Sequence, residues 1–438
     1  FHSSRMLRVS GWLPAAWRSS TRLLRPGAGA SVRGMARSSK SKNDNTDVPY
    51  ADDCTSLDTE DLTTPFIIPM TEYGAYKPTN IFQTKNSGSR FVALNRPQAL
   101  NALDMGMLRD LTAVYKDVDS DEMTRMVLIY GGSEKAFCAG GDVAGLAKQG
   151  PVPMGKPAPQ MDFFRHEYTL NNMIGNLKTT KQVALLNGIV MGGGVGLAVH
   201  GDYRLCTDDT LFAMPETGIG FFPDVGGSWF LPRMDRHVGI YLALTGRRLN
   251  CTETYTTGLA THYVPLDQIP RCLEAFMFAP EDLTTEVIDE ILYDYGDEPD
   301  EEECGKDEVL PYIDAIDRCF KQQSISEIRK ALVDETGPEY RQWAQQTLNM
   351  MDKASPTSLA VTLEQLKRGS NLQTLEECLE MELCIARRFM AGGDFFEGIR
   401  AMLIDKDKDP KWEATPTPDQ ILEYFSPLPA GEGTLIKV

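Results

Sequence analysis

The sequence predicts an α/β fold, on three observations. Between residues 81 and 206, short apolar segments with the composition of buried strands alternate with segments of helical periodicity. Glycine-rich loops follow two of the apolar segments, FCAGGDVAGL at 137–146 and MGGGVGLAVHGD at 191–202. Beyond about residue 275 the strand signals fade and helical patterns dominate. These observations predict an α/β core at 79–275 and a mainly helical C-terminal region at 276–438.

The core begins with a strand pair and a helix. IFQTKNSGSRFVALN predicts two short strands around a turn at Asn86–Ser89. In ALDMGMLRDLTAVYKDVDSD, Leu103, Met107 and Leu111 recur at helical spacing. The segments MTRMVLIYGG, KQVALLNGIV and DYRLCT then predict strands, and VGLAVH predicts a short helix before the last of them.

The C-terminal region contains segments with helical spacing. They are VLPYIDAIDRCF, SISEIRKALV, EYRQWAQQTLNMMDKA, SLAVTLEQLKRG and LEECLEMELCIARRFMAGG. Together they predict helices that pack on, or extend, the α/β core. Between the core and these helices, the strongly acidic run Asp289–Glu308 predicts a solvated loop.

The N-terminal residues differ from the rest of the chain. Residues 1–42 contain seven Arg, two Lys and no acid, which is the composition of a mitochondrial or plastid presequence. A basic arm that binds nucleic acid is the alternative interpretation. Residues 43–78 are polar, punctuated by proline and aperiodic, and they predict a linker or an edge extension.

Composition excludes several classes of function. The formal net charge is −18, and it becomes about −27 without residues 1–42, so a nucleic-acid partner is not expected. No apolar run approaches the roughly 18 to 20 residues of a membrane span, so no membrane anchor is expected. The nine cysteines include no CxxC pair, which argues against a zinc site or a disulfide framework. We expect a reduced compartment and no metal.

The glycine loops do not fit the known nucleotide-binding motifs. After Gly194 and Gly196, Val199 stands where GxGxxG requires its third glycine, and no GxxxxGK[ST] occurs. Glycine after a strand lets a backbone N–H approach a ligand, so each loop can supply one donor to an oxyanion. Tight turns that need positive φ are the alternative explanation.

The candidate chemical groups are carboxylates. The chain has no GxSxG elbow and few histidines, and Cys138 is more simply a small buried residue than a nucleophile. The segment FAMPETGIGFFPDVGG, by contrast, isolates Glu216 and Asp224 among apolar residues and glycines.

These motifs resemble the crotonase (enoyl-CoA hydratase/isomerase) superfamily. Within it, LNRPQALNAL, FCAGGD, NGIVMGGGVGLAVHGDYR, MPETGIGFFPDVGG, LALTGRRL, ATHYV, SPTSL and EGIRAMLIDKDKDPKW are similar to the 3-hydroxyisobutyryl-CoA hydrolase family, from about residue 80 to residue 412. The last motifs lie outside the shared superfamily core, so the resemblance is specific to this family. It implies a crotonase-type spiral of repeated ββα units with a helical C-terminal region.

The resemblance also implies a set of site residues. Gly141 and Gly193 match the residues whose amides form the oxyanion hole, and with Glu216 and Asp224 they make up the implied catalytic set. The implied substrate-contacting residues are Glu167, Gly193, Glu216 and Asp224.

The sequence leaves alternative roles open for each of the three carboxylates. Glu216, kept from water in an apolar loop, either activates water as a base of raised pKa or attacks the acyl carbon itself. Asp224 either contacts the substrate hydroxyl, positions water or protonates the leaving thiolate, or it simply caps a helix. Glu167 would ordinarily be a solvated carboxylate on an amphipathic helix.

Two positions depart from the patterns of the resemblance. Hydratases carry the first of two catalytic glutamates where this chain has Gly196, which disfavours water addition to a double bond. In MAGGDFFEG, Gly393 stands where the hydrolases usually have His before the Asp.

The implied function is hydrolysis of the thioester of 3-hydroxyisobutyryl-CoA, and also of 3-hydroxypropionyl-CoA, in valine breakdown in the mitochondrial matrix. Coenzyme A enters as part of the substrate, so no separate cofactor is expected, and no basic residue is singled out for its phosphates. A homo-oligomer is a further expectation.

Two other functions are weighed against this one. The first is a structural homologue in the small subunit of the mitochondrial ribosome, which has no need for Glu216, Asp224 and the glycine loops. The second is a hydratase or isomerase, which Gly196 disfavours.

Overall fold

The computed structural model describes most of the chain after residue 80. All of the described residues belong to one compact unit. The expected presequence, 1–42, and the expected linker, 43–78, lie outside the described part of the chain. The described ranges are 81–86, 88–280, 283–429 and 432–437.

Strands form two sheets in the described residues. The larger sheet has the order β1-β2-β3-β5-β7-β9, in which β1 and β2 pair antiparallel and all other neighbours are parallel. The smaller sheet is parallel with the order β4-β6-β8. The strands are β1 (Ile81–Asn86), β2 (Ser89–Leu94), β3 (Met126–Gly131), β4 (Ala136–Cys138), β5 (Lys181–Leu186), β6 (Ile189–Met191), β7 (Tyr203–Cys206), β8 (Leu211–Ala213) and β9 (His262–Tyr263).

Three successive strand pairs, β3–β4, β5–β6 and β7–β8, repeat one arrangement. The first strand of each pair enters the larger sheet, the second enters the smaller sheet, and a helical segment follows. Each second strand therefore ends in the same small sheet, so the loops that follow β4, β6 and β8 lie side by side. The predicted α/β fold of repeated ββα units is confirmed.

Helices occupy most of the C-terminal region, as predicted. A π-helical turn, Arg400–Ile404, extends α16. The α-helices are α1 (Met105–Ser120), α2 (Val143–Ala147), α3 (Gln160–Gly175), α4 (Gly193–Ala198), α5 (Gly227–Phe230), α6 (Val238–Thr245), α7 (Cys251–Thr256), α8 (Ile269–Met277), α9 (Thr285–Tyr295), α10 (Glu301–Cys304), α11 (Ile313–Phe320), α12 (Ile325–Val333), α13 (Pro338–Lys353), α14 (Pro356–Gly369), α15 (Leu375–Phe389), α16 (Asp394–Ile399) and α17 (Pro418–Glu423).

The acidic run Asp289–Glu308 is not the loop that its charge predicted. Its first part belongs to α9, and α10 lies within it. Ile288 and Leu292 are four residues apart on α9 and both are buried against the larger sheet. The prediction was wrong because two apolar side chains at helical spacing are enough to anchor a helix whose other faces carry the charges.

Helices cover the larger sheet on both faces. Val127 and Ile129 of β3 belong to the main core, which includes residues of α1, α3 and α4. Their neighbour Leu128 points the other way, into a second core formed with α8 and α9. This alternation follows from the two-residue period of a strand, and burial on both faces explains why the strands read as continuous apolar runs.

The C-terminal helices share the main core with the ββα units. α15 packs on α3, α14 packs on α5, and α16 packs on the 3₁₀ turn Glu216–Ile219. This last contact is close: a side chain at Gly398 of α16 would collide with the carbonyl oxygen of Ile219. The helical region thus supports the segment that holds Glu216.

Replacing Gly398 by alanine tests this close approach. We expect Gly398→Ala to lower the free energy of unfolding by about 1–3 kcal/mol, because the new methyl group meets rigid backbone. Thermal unfolding measures the loss. Gly218→Ala in the same turn is the control, since its methyl group would have open space. An equal effect of the two substitutions would contradict the proposed packing.

Candidate active site

Gly141 lies in the loop between β4 and α2. The preceding residue, Gly140, has φ +106, and a side chain there would lie 3.2 Å from the carbonyl oxygen of Met191. The loop after β4 can therefore approach the loop after β6 only with glycine at this position. The carboxylate of Asp142 accepts a hydrogen bond from the Gly145 amide and caps α2, which fixes the end of the loop.

Gly193 is the first residue of α4, and Gly192 alone separates it from β6. A β-carbon at this position would lie 3.2 Å from the amide nitrogen of Gly141 and would collide with Oε1 of Glu167. The two glycine loops therefore meet, and only hydrogen fits between them. Among the described residues, neither the Gly141 amide nor the Gly193 amide has a hydrogen-bond acceptor. For Gly193 this follows from its position in the first turn of a helix.

Glu216 begins a 3₁₀ turn after β8, and its side chain points to the glycine loops. Its Oε1 lies 2.9 Å from the point where Gly192 would carry a β-carbon. The residue is only 6% exposed, and its Oε2 has no hydrogen-bond partner among the described residues. Burial, and then the charge of Asp224, raises the pKa of Glu216 well above its usual range.

Asp224 is buried in the loop before α5 and faces α3. Its Oδ2 accepts a hydrogen bond of 2.7 Å from the hydroxyl of Tyr168. Burial raises its pKa to about 7, although the bond from Tyr168 acts in the opposite direction. The alternative role as a helix cap is wrong, because α5 begins after Gly226 and has no side-chain cap from Asp224.

Glu167 completes the group of acids from the inner face of α3. It is 2% exposed, so the default interpretation of a solvated carboxylate is wrong. Its Oε1 lies against Gly193 and has no hydrogen-bond partner within the described ranges. Burial, followed by the charges of Asp224 and Glu216, raises its pKa well above the usual range.

All five predicted site residues line one pocket of about 400 Å³. Phe163, Phe164 and Phe221 form much of its apolar wall, and Leu403 of the π-helical turn also lines it. None of the described lining residues is Lys, Arg or His. The three acids of the predicted site have no basic partner among the described lining residues, so burial and mutual repulsion favour their neutral forms.

Neighbouring side chains leave room only for glycine at position 196. A β-carbon there would lie 2.6 Å from Cβ of Val225 and 2.8 Å from Nδ2 of Asn171. The space that a catalytic glutamate would use in a hydratase is thus filled. Cys138 is fully buried, and burial raises the pKa of its thiol to about 12, so it is not a reactive nucleophile.

Sequence reasoning missed two polar residues of the site. Tyr168 stands beside Glu167 in FFRHEYTLNN, but only the folded chain shows its bond to Asp224. Glu382 on α15 accepts hydrogen bonds from the amides of Gly226 and Ser228. Its signal in the sequence is a single acid on the apolar face that Leu379 and Leu383 define.

Neither a group of metal-binding side chains nor a membrane-spanning helix is found in the described residues. No group of three or more His, Cys, Asp or Glu side chains in them is arranged to hold a metal ion. None of their helices is long and apolar enough to cross a membrane.

Comparison with solved structures defines the class of the protein. A carnitinyl-CoA dehydratase from Mycobacterium thermoresistibile is 33% identical with a TM-score of 0.71, over 80% of this chain and 97% of the dehydratase. An enoyl-CoA hydratase from Rhodobacter sphaeroides 2.4.1 is 31% identical with a TM-score of 0.69, over 82% of this chain and 100% of the hydratase. The protein therefore has the crotonase fold, and the enoyl-CoA hydratase/isomerase family model matches residues 89–423.

Sequence relatives define the family within this class. The mitochondrial 3-hydroxyisobutyryl-CoA hydrolase of Dictyostelium discoideum is 44% identical over 77% of this chain and 89% of that protein. The human protein of the same name is 39% identical over 78% of this chain and 91% of its own length. The chain belongs to the 3-hydroxyisobutyryl-CoA hydrolase family, as the motifs predicted.

The raised pKa of Asp224 predicts how stability depends on pH. Asp224 has a pKa of about 7 when folded and 3.8 ordinarily, so the unfolded chain releases this proton first and stability falls as the pH rises from about 4 to 7. We expect Asp224→Asn to remove this loss, which amounts to at most about 1.4 kcal/mol per pH unit.

Denaturant unfolding at pH values of about 4 and about 8 measures this effect. The variant should gain stability relative to the wild-type protein only at the higher pH. The exposed Asp209 provides the control, because Asp209→Asn should change stability little and equally at both pH values. A pH-independent effect of Asp224→Asn would show that its carboxylate does not titrate as the burial requires.

Proposed function

We propose that the protein hydrolyses the thioester of 3-hydroxyisobutyryl-CoA to the free hydroxy acid and coenzyme A, in the valine breakdown of the mitochondrial matrix. The observation that carries the proposal is the meeting of the Gly141 and Gly193 loops beside the buried Glu216. The names of the relatives, which are mitochondrial hydrolases, support the substrate and the compartment. 3-Hydroxypropionyl-CoA is a second proposed substrate.

The amides of Gly141 and Gly193 bind the thioester oxygen. Both lack an acceptor among the described residues, and because the loops that carry them meet, we infer that they donate to one oxygen atom. As water adds to the acyl carbon, negative charge develops on that oxygen, and fixed donors in an apolar pocket stabilise it without reorganisation. Each such donor typically contributes about 10² to 10³ in rate.

Glu216 activates the attacking water. Its carboxylate removes a proton while the water oxygen bonds to the acyl carbon, and the carbon–sulfur bond then breaks to release the thiolate. Burial makes the ionised form of Glu216 costly, so this carboxylate is a stronger base than a free glutamate. Attack by Glu216 itself is the alternative route: its carboxylate displaces the thiolate and forms a mixed anhydride with the acyl group, and water then cleaves this anhydride to release the hydroxy acid and restore Glu216.

Asp224 returns a proton to the leaving thiolate. A group with a pKa of about 7 gives and takes protons readily at neutral pH, and the bond from Tyr168 holds its carboxyl group in one orientation. Glu167, whose Oε1 is unpartnered beside Gly193, accepts a hydrogen bond from the 3-hydroxyl of the substrate. Coenzyme A is part of the substrate, and the reaction needs no separate cofactor.

The two other functions have less support. The ribosomal alternative finds none in the relatives compared, which bear the names of enzymes. Water addition to a double bond, as in hydratases, would require a second glutamate where Gly196 has no room for a side chain.

Thiol release from 3-hydroxyisobutyryl-CoA by the purified protein tests the proposal. A thiol reagent should detect free coenzyme A, and release from isobutyryl-CoA, which lacks the hydroxyl group, should be slower. Absence of release from both thioesters would reject a hydrolase. Equal rates for the two would reject the role of the 3-hydroxyl.

Glu216→Gln should reduce kcat by at least about 10² while the protein stays folded, because the amide keeps the shape of the side chain and cannot accept the proton. The same thiol-release assay measures it. In the wild-type protein, kcat should rise with pH on the acid side, as Glu216 loses its proton at a pH above the usual range of a glutamate. A Glu216→Gln variant with the wild-type kcat would remove Glu216 from the mechanism.

A further inference from the structure

The loop that carries Asp224 has an uncommon backbone conformation. Val225 has φ +52, in the left-handed region that a β-branched residue rarely adopts, and Gly226 has φ +84. A side chain at Gly226 would lie 2.5 Å from Cε1 of His200. Such a conformation persists only where the surrounding structure fixes it, and it often marks a functional segment.

One buried carboxylate accepts three hydrogen bonds from this loop. Glu382 of α15 accepts from the Gly226 amide at 2.8 Å through Oε2. Through Oε1 it accepts from the Ser228 amide at 2.9 Å and from the Ser228 hydroxyl at 2.5 Å. Glu382 is completely buried, so hydrogen-bond donors of the protein must replace the water that an exposed carboxylate would bind.

Neighbouring side chains fix the rest of the loop. Nε2 of Gln365, on α14, donates to the carbonyl oxygen of Pro223 at 2.8 Å and lies 3.4 Å from Oε1 of Glu382. A ring nitrogen of His200 lies 2.7 Å from the carbonyl oxygen of Val225. The contacts on both sides of Asp224 thus come from elements distant in sequence, and two of those elements belong to the C-terminal helical region.

Asp224 lies near enough to Glu382 to influence the pKa of Glu382. Burial raises the pKa of Glu382 to about 8, and the charge of Asp224 adds to this increase. Apolar side chains would pack in this place without the cost of a buried acid. The hydrogen bonds that this carboxylate accepts from the amides of Gly226 and Ser228 explain why an acid stands here.

We propose that Glu382 is a positioning residue for hydrolysis: by holding the Gly226 and Ser228 amides it fixes the Val225 backbone, and so directs the carboxyl group of Asp224 toward the pocket and Tyr168. The inference rests on the proposed function. It assigns the C-terminal helix α15 a part in the chemistry beyond packing.

Glu382→Gln tests the inference with little change in size. The amide nitrogen of Gln cannot accept a hydrogen bond, so the Gly226 amide or the Ser228 pair loses its acceptor. We expect kcat for thiol release to fall about tenfold to a hundredfold with KM changed little, because a misplaced catalytic group slows the chemical step more than binding. Glu376→Gln, at an exposed position of the same helix, should leave both constants unchanged.

A double-mutant cycle separates positioning from general loss of stability. If Glu382 acts through Asp224, Glu382→Gln should cause no further loss of kcat in an Asp224→Asn background. An equal fold-loss in both backgrounds, or an unchanged kcat in Glu382→Gln, would overturn the inference.

Ser228→Ala provides a second test of the inference if the Glu382→Gln variant does not fold. It removes only the hydroxyl donor and leaves both amides paired with Glu382, so it should fold and lower kcat a few-fold. This loss should likewise disappear with Asp224→Asn, and a loss that persists would overturn the inference.

Thiol release by the wild-type protein distinguishes failure of the proposed function from failure of the positioning role of Glu382. A wild-type protein that releases no thiol rejects the proposed function. An active wild-type protein whose Glu382 variants lose activity independently of Asp224 rejects only the positioning role.

Discussion

The site depends on one steric constraint, the contact between two backbone loops. Gly141 and Gly193 approach until a β-carbon on the second would lie 3.2 Å from the amide nitrogen of the first. Three ββα repeats make this contact possible, since each places its short second strand in the same sheet. A side chain at Gly193 would also meet Glu167, so the amide pair and the acids share one small volume. The geometry of the pocket follows from glycine more than from any charged residue.

Because the acids of the site lie close together and away from water, their ionised forms are destabilised, and contacts elsewhere in the protein must offset this free energy. Glu167, Glu216 and Asp224 are all almost fully buried, and none of the described lining residues is basic. Burial and mutual repulsion favour their neutral forms, which keeps exchangeable protons in the pocket. This electrostatic state suits thioester hydrolysis, in which one acid accepts a proton and another donates one. The stabilising contacts come from α3, α14, α15 and α16, which pack around the loops.

The sequence predicted the features whose signals are local. The strands around the turn at residues 86–89, the helix α1 and the five helices α11–α15 followed from periodicity, and the glycine loops were visible as motifs. The smaller sheet was not predicted as a sheet, because strands of three residues such as β4 and β8 are too short to show a period. The acidic run was misassigned because two buried residues outweigh many exposed charges.

For the site residues too, the sequence revealed what is local and missed the contacts between distant residues. Glu216 and Asp224 stood out because they interrupt an apolar segment, and the family resemblance supplied Gly141, Gly193 and Glu167. The bonds that place them could not be predicted: Glu382 is 154 positions from Ser228, and Tyr168 is 56 positions from Asp224. A pairing over such distances is a property of the packed chain, and no local pattern encodes it.

The loop that carries Asp224 also bears on which reaction the fold can perform. Its left-handed Val225 sends a β-carbon to within 2.6 Å of the place where Gly196 would carry its own, and Asn171 fills the other side. The position that resembles the first glutamate of a hydratase is therefore closed by the same backbone turn that presents Asp224 to the pocket. Because one strained turn does both, the backbone that presents Asp224 to the pocket leaves no room for a side chain at position 196, and Glu216 is the carboxylate that lies beside the glycine loops.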